Sequence, residues 1–195
     1  MAPSDRIRIR SVEVLSQDPY ALKKTTFDYR RRDGSWQTLT RQTYDHGNAA
    51  AVLLYNRDRR TVVLTRQFRL PAYVNGLEDG MLIEACAGLL DQQAPEARIK
   101  HEAEEETGYC LGNVTKLFEA YMSPGSVTEK IHFFTAEYGP EAKAATGGGK
   151  QSEGEDIEVL ELPFEQAVAM IGTGEIQDAK TILLQQHAKL HGLLD

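Results

Sequence analysis

A single long helical segment, Pro95 to Thr107, interrupts a run of short strands, and that order constrains the fold more than any other feature. Pro95 suits a first helical turn, where its missing N–H has no intrahelical partner. Gly108 suits the left-handed residue that closes a helix. Before this helix lie apolar runs at Ala51–Leu54, Thr61–Leu64 and Met81–Ile83, with a loop expected from Pro71 to Gly80. After it come strands at Val114–Tyr121, Ile131–Tyr138 and Ile157–Leu162, then closing helices at Phe164–Ile171 and Ala179–Leu190. Strands and helices do not alternate, so the chain reads as α+β and not as a doubly wound parallel sheet.

Residues 1–46 read differently. Arg6–Val14, Ala21–Arg31 and Trp36–Tyr44 are strand-like, and Asp33-Gly34 between the last two is a hairpin signal, because Gly accepts the positive φ of such turns. A hairpin arm of this kind has little core of its own. It is expected to pack on the remainder, residues 47–195, or on a second subunit as a dimerisation element. Gly139–Glu155 is small, polar and glycine-rich, and by composition it reads as a mobile surface loop.

With 22 basic and 29 acidic residues the net charge is −7, which argues against nucleic-acid binding, since that needs a basic face. No segment approaches the roughly 20 apolar residues of a membrane span, and Met1–Arg6 lacks the apolar stretch of a secretory signal. Cys86 and Cys110 have no metal-site spacing and read as small buried residues in a reducing compartment, hence a cytoplasmic location.

The helix itself carries the chemistry. Four of the five residues from Glu102 to Glu106 are glutamate. Glu102 lies one turn from both Glu105 and Glu106, and each such like-charge pair costs about 0.2–0.5 kcal/mol on an exposed helix. These acids also sit at the negative end of the helix dipole, where each costs about 0.3–1 kcal/mol more. A solvated acidic face is the ordinary reading of such a run, but a local rule broken this openly marks a functional site. A hard divalent cation resolves the conflict, and Mg²⁺ takes a few carboxylate oxygens while keeping waters and substrate phosphate.

The segment Gly88–Tyr109, with Glu102, Ala103, Glu105, Glu106 and Gly108 in register, resembles the Nudix box. It departs from that motif in three ways. The Gly88–Gly108 interval is one residue short, the early glutamate falls on Gln93 or Ala94, and the arginine position holds His101. Loss of both partners suggests that a supporting ion pair is missing. Beyond the box, Tyr44–Asn48, Arg66–Arg69, Glu84–Leu90, Tyr121–Gly125, Glu153–Glu158 and Gly174–Thr181 resemble the GDP-mannose pyrophosphatase branch, close to the ADP-ribose pyrophosphatases.

The resemblance implies a Nudix α/β/α sandwich around a mixed sheet, with the amino-terminal antiparallel hairpin exchanged in a homodimer. It implies an Mg²⁺-dependent (alternatively Mn²⁺-dependent) hydrolase that cleaves GDP-mannose to GMP and mannose 1-phosphate. ADP-ribose or another nucleoside diphosphate sugar is the alternative substrate, and a non-catalytic nucleotide-binding module is the alternative of another class. Carried over by position, the metal ligands are Glu102, Glu106, Glu155 and the carbonyl of Ala87, with Glu105 behind them. Glu106 and Glu129 are the catalytic candidates, although Glu129 reads equally as a surface acid at a strand start. Substrate contacts fall on Tyr20, Arg41, Arg69, Gly88, Leu89, Glu129, Gly154 and Lys180. From the residues alone, Tyr20 reads as a packed core aromatic and Arg69 and Lys180 as surface ion-pair partners. His187 and His191 read as a solvated helix face, and Phe133-Phe134 as sheet packing.

Overall fold

The chain divides into two units in the computed structural model, which describes residues 5–195, the side chains of Pro140 and Glu153 excepted. Of the described residues, the first unit comprises 5–48 and 121–130, the second 49–120 and 131–195.

In the first unit β1 (Ile7–Gln17), β2 (Ala21–Arg30) and β3 (Trp36–Asp45) form an antiparallel three-stranded sheet in chain order. The β2–β3 turn closes as its sequence dictates. Gly34 sits at φ +85°, and Asp33 accepts from the Ser35 N–H at 2.9 Å. Residues 121–130 join through Tyr44, whose N–H donates to Ser126 and whose carbonyl accepts from Thr128. The whole of β1 is exposed, including Ile7, Ile9, Val12, Val14 and Leu15.

The second unit holds a mixed sheet in the order β10 (Glu158–Pro163), β5 (Thr61–Phe68), β4 (Ala49–Asn56), β9 (Lys130–Glu137), β8 (Thr115–Tyr121). Two short strands extend it: β6 (Met81–Glu84) pairs with β5 and β7 (Cys86–Leu89) with β4. The β4–β9 pair is parallel, whereas β4–β5, β4–β7, β5–β6 and β5–β10 are antiparallel. Every residue of β4 is buried, as a strand covered on both faces requires. Side chains alternate between faces. Ala50, Val52, Leu54 and Phe134 share a core with Ile99 and Ala103 of α2 (Pro95–Thr107). On the other face Phe133 stacks on Phe118, which stacks on His187 of α4 (Ala179–Leu190). Helices therefore lie on both sides of the sheet, the α/β/α layering expected.

Some sequence expectations change. The loop Pro71–Gly80 begins with a short helix, α1 (Leu70–Val74), set off by Pro71 in its first turn. Strand β7 was not anticipated, because Cys86-Ala-Gly-Leu89 lacks both β-branched residues and alternation. α3 (Phe164–Thr173) runs two residues beyond its expected end, to a left-handed Gly174. Cys86 is buried but Cys110 is exposed. Tyr20 is 39% exposed and not a core aromatic. Among the described residues no helix is long and apolar enough to cross a membrane.

Candidate active site

Helix α2 presents its glutamates unevenly. Glu102 and Glu106 lie on the buried face, 6% and 3% exposed, while Glu104 faces solvent. The buried pair meets β7. A Cβ at Gly88 would collide with the Glu102 carboxylate, so glycine there makes room for it. Glu106 accepts from the Ala87 N–H at 3.3 Å and from the Cys86 thiol.

Burial, reinforced by Glu155 and by the neighbouring helix glutamates, pushes the Glu102 carboxyl up to about 7 and Glu106 to about 8. The same burial and the same three carboxylates hold the Cys86 thiol well above its ordinary range. Glu102, Glu106 and Glu155 therefore sense one another across a small volume. Among the described residues, no three His, Cys, Asp or Glu side chains form a ready-made metal cage. Each carboxylate is instead held by protein donors: Glu102 by Arg98, Glu106 by Ala87 and Cys86, Glu155 by the Lys150 N–H at 2.8 Å. Hard oxygen donors on adjacent helical turns still suit Mg²⁺, which needs few protein ligands when waters and phosphate complete its shell.

The glycine-rich loop docks on the end of α2. Gly148 and Gly149 donate their N–H groups to the carbonyls of Glu106 and Glu105 at 2.9 and 3.2 Å, and Ala144 and Ala145 donate to Gly108. These bonds satisfy carbonyls that a helix end leaves without partners. Gly147, at φ +71°, approaches so closely that a Cβ would stand 2.6 Å from the Glu106 carbonyl oxygen. Gly147 thus serves a close approach to α2 that composition alone did not suggest. Lys150 from this loop pairs with Glu105 at 2.6 Å, supplying the cation that the helix sequence lacks. Gly154 closes a 3-10 turn at φ +78°, one residue before Glu155.

Beside the glutamates lies a second charged cluster. Glu84, 3% exposed, accepts from Arg69 Nε at 2.6 Å and from Lys180 Nζ at 3.1 Å. Lys180 also pairs with Asp178 at 2.7 Å. Burial alone would depress the Lys180 ammonium and the Arg69 guanidinium, but the adjacent carboxylates outweigh it and both are raised. Asp178 caps α4 through the Thr181 N–H, and the Thr181 hydroxyl accepts from the Ala85 N–H at 2.6 Å. The base of α4 is thereby tied to the strand leading to Ala87.

The second unit gathers Arg69, Ala87, Gly88, Leu89, Glu102, Glu106, Gly154, Glu155 and Lys180. Tyr20, Arg41 and Glu129 belong to the first. Tyr20 packs edge-on against Tyr44 and His46, at centroid distances of 6.1 and 5.7 Å. Arg41 lines a groove with Tyr29, Arg31, Arg32 and Leu39. Glu129 lies in the segment before β9. His187 and His191 stack 4.3 Å apart, and His187 also meets Phe118, so His187 is a packed ring.

Sequence reasoning missed Glu84, Arg98, Lys150 and Asp178. Glu84 had a signal: a lone carboxylate ending the apolar run Met81–Ile83 must find partners if buried.

A helix of buried glutamates laid across a glycine strand, inside an α/β/α sandwich, defines the class, and the chain belongs to the Nudix family: residues 45–185 match the NUDIX domain. Nudix hydrolases act on diphosphate bonds and use divalent cations. Residues 6–44 match the GDP-mannose pyrophosphatase NudK N-terminal domain. Over nearly its full length the chain is similar to proteins named GDP-mannose pyrophosphatase. It is 56% identical to that of Pectobacterium atrosepticum, covering 97% of each chain. It is 54% identical to that of Citrobacter koseri (98% of this chain, 99% of the relative) and 53% to that of Escherichia coli (98% and 100%).

Proposed function

We propose that the chain is an Mg²⁺-dependent pyrophosphohydrolase that converts GDP-mannose and water to GMP and mannose 1-phosphate. The observation that carries the chemistry is the pair Glu102 and Glu106, buried on successive turns of α2 beside the Arg69–Glu84–Lys180 cluster. The relatives' shared name supports the choice of substrate.

Glu102, Glu106, Glu155 and the Ala87 carbonyl would hold the Mg²⁺, which when bound neutralises phosphate charge and acidifies water. The chain's own groups do the remainder. Arg69 offers a forked donor and Lys180 a compact one to the two phosphates. Glu84 fixes the direction of both. Glu129 orients the attacking water or takes its proton. Burial among three carboxylates keeps Glu106 a weak acid until a cation draws it into the ionised form.

The same reading makes the active unit a homodimer with exchanged hairpins, in which Tyr20 and Arg41 reach the partner's nucleotide. A one-layer sheet with five exposed apolar residues on β1 calls for a cover. The arm and the remainder also carry opposite net charge, which suits pairing within one chain or between two copies. Residues 1–48 carry nine basic against six acidic side chains, leaving thirteen against twenty-three in the remainder. Attraction between segments of opposite net charge steers such pairing. The unpaired thiols Cys86 and Cys110 suit a cytoplasmic location.

The test is turnover of GDP-mannose, ADP-ribose, UDP-glucose and ADP-glucose with Mg²⁺ and with Mn²⁺, the products identified by mass. GDP-mannose should have the highest kcat/KM and yield GMP. A higher kcat/KM for ADP-ribose would replace the substrate, and no turnover of any would leave a binding module.

A further inference from the structure

The chain lacks both members of the ion pair that its box would lead one to expect, yet the turn before α2 is not left unsupported. Asp91 and Gln92 sit at φ +44° and +67°, left-handed values that a non-glycine residue adopts only when held. Beside the Gln93 N–H to Leu90 carbonyl bond that closes this turn, it is gripped by Arg98, one helical turn before Glu102. Its Nε donates to the Leu89 carbonyl at 2.9 Å, and its Nη2 pairs with Asp91 at 3.4 Å. The same Nη2 pairs with Oε1 of Glu102. An exposed pair at this spacing would be a minor ornament of the helix, worth about 0.2–0.5 kcal/mol. This one is buried, the two side chains 11% and 8% exposed. Glu102 is therefore enclosed on two sides, by Gly88, which leaves no room for even a Cβ, and by a guanidinium anchored to the turn. His101, in the box arginine's place, is 54% exposed, and its Nδ1 lies 3.3 Å from Arg98 Nη1 and 3.5 Å from Glu105.

We infer that Arg98 is a positioning residue for divalent-cation binding: it locks the Glu102 carboxylate to the Leu89–Asp91 turn, doing from one turn earlier what the absent pair would have done. The inference rests on the reading of Glu102 as a metal ligand. The rigid guanidinium fork holds a carbonyl and two carboxylates in fixed directions, whereas the donors of an ammonium rotate at the end of a flexible stem. Groups that orient a ligand from behind typically govern metal affinity by about 10–100-fold when removed.

Direct binding of Mn²⁺ to the nucleotide-free full chain, followed by electron paramagnetic resonance, tests this. Arg98→Ala should weaken Mn²⁺ binding about tenfold or more and raise the half-saturating Mg²⁺ for turnover by the same factor. Arg98→Lys should fall between the two. Asp91→Asn, an exposed change that spares the fold, should shift binding the same way by a smaller factor. Mn²⁺ affinity equal to or tighter than wild type in Arg98→Ala, with Glu102→Gln binding poorly, would overturn the positioning role and leave the function standing. Wild-type Mn²⁺ affinity in Glu102→Gln would instead overturn the metal-ligand reading. A purely structural role would lower the unfolding temperature without moving the Mn²⁺ constant.

Discussion

Replacing Glu106 with glutamine should make the protein inactive and, at high pH in a chelator, more stable. Glu106 is 3% exposed, and burial lifts its carboxyl from 4.5 to about 8, with Glu102 lifted to about 7. In the unfolded chain both release their protons near the ordinary value, so between about pH 4.5 and 8 the folded state binds more protons than the unfolded one. Stability then falls as pH rises through that window, fully present below 4.5 and lost above 8. At about 1.4 kcal/mol per unit, the Glu106 shift amounts to a loss on the order of 4–5 kcal/mol. That is a large share of a typical domain's 5–15 kcal/mol. Glutamine keeps the shape and carries no charge, so the variant should exceed wild type by a few kcal/mol at pH 9 and match it near pH 5. Urea unfolding in EDTA at both pH values measures this, and added Mg²⁺ should flatten the wild-type slope but not the variant's. Parallel pH slopes for the two proteins, or a variant weaker at pH 9, would refute the electrostatic account. Near-wild-type turnover with saturating Mg²⁺ would separately remove Glu106 from the site.

Glu84→Ala leaves Arg69 and the buried Lys180 without their shared carboxylate. Its cost is on the order of 2–4 kcal/mol in urea unfolding, discounted because Arg69 is 40% exposed, and KM should rise. Gly147→Ala places a Cβ against the α2 terminus at a left-handed φ. A loss of about 1–2 kcal/mol and faster hydrogen exchange at Gly148 and Gly149 are expected, and unchanged exchange would mean that the loop is not docked there. Mixing the inactive variants Glu106→Gln and Arg41→Ala should restore activity, up to about half the sites of each heterodimer. No recovery despite demonstrated subunit exchange would place Arg41 in its own subunit's site or outside any.

Local chemistry was legible where local chemistry decides. The ends of α2 follow from Pro95 and Gly108. The β2–β3 hairpin follows from Asp33-Gly34, and the conflict among Glu102, Glu105 and Glu106 is a matter of helical spacing alone. The sequence by itself thus determined the element order apart from α1 and β7, the carboxylate chemistry and the family likeness. Tertiary structure decided which glutamates are buried, because Glu102 and Glu106 face β7 while Glu104 does not. It decided that Gly147 packs against the α2 terminus and that Gly148 and Gly149 hydrogen-bond to it, since that backbone lies some forty residues earlier. It also joined Glu84 to Lys180 across 96 residues and sent Arg98 to the turn behind it. Side-chain periodicity reports only the face a residue shares with its neighbours. A buried charge is satisfied by whatever the chain brings against that face, and only the packed fold determines what that is.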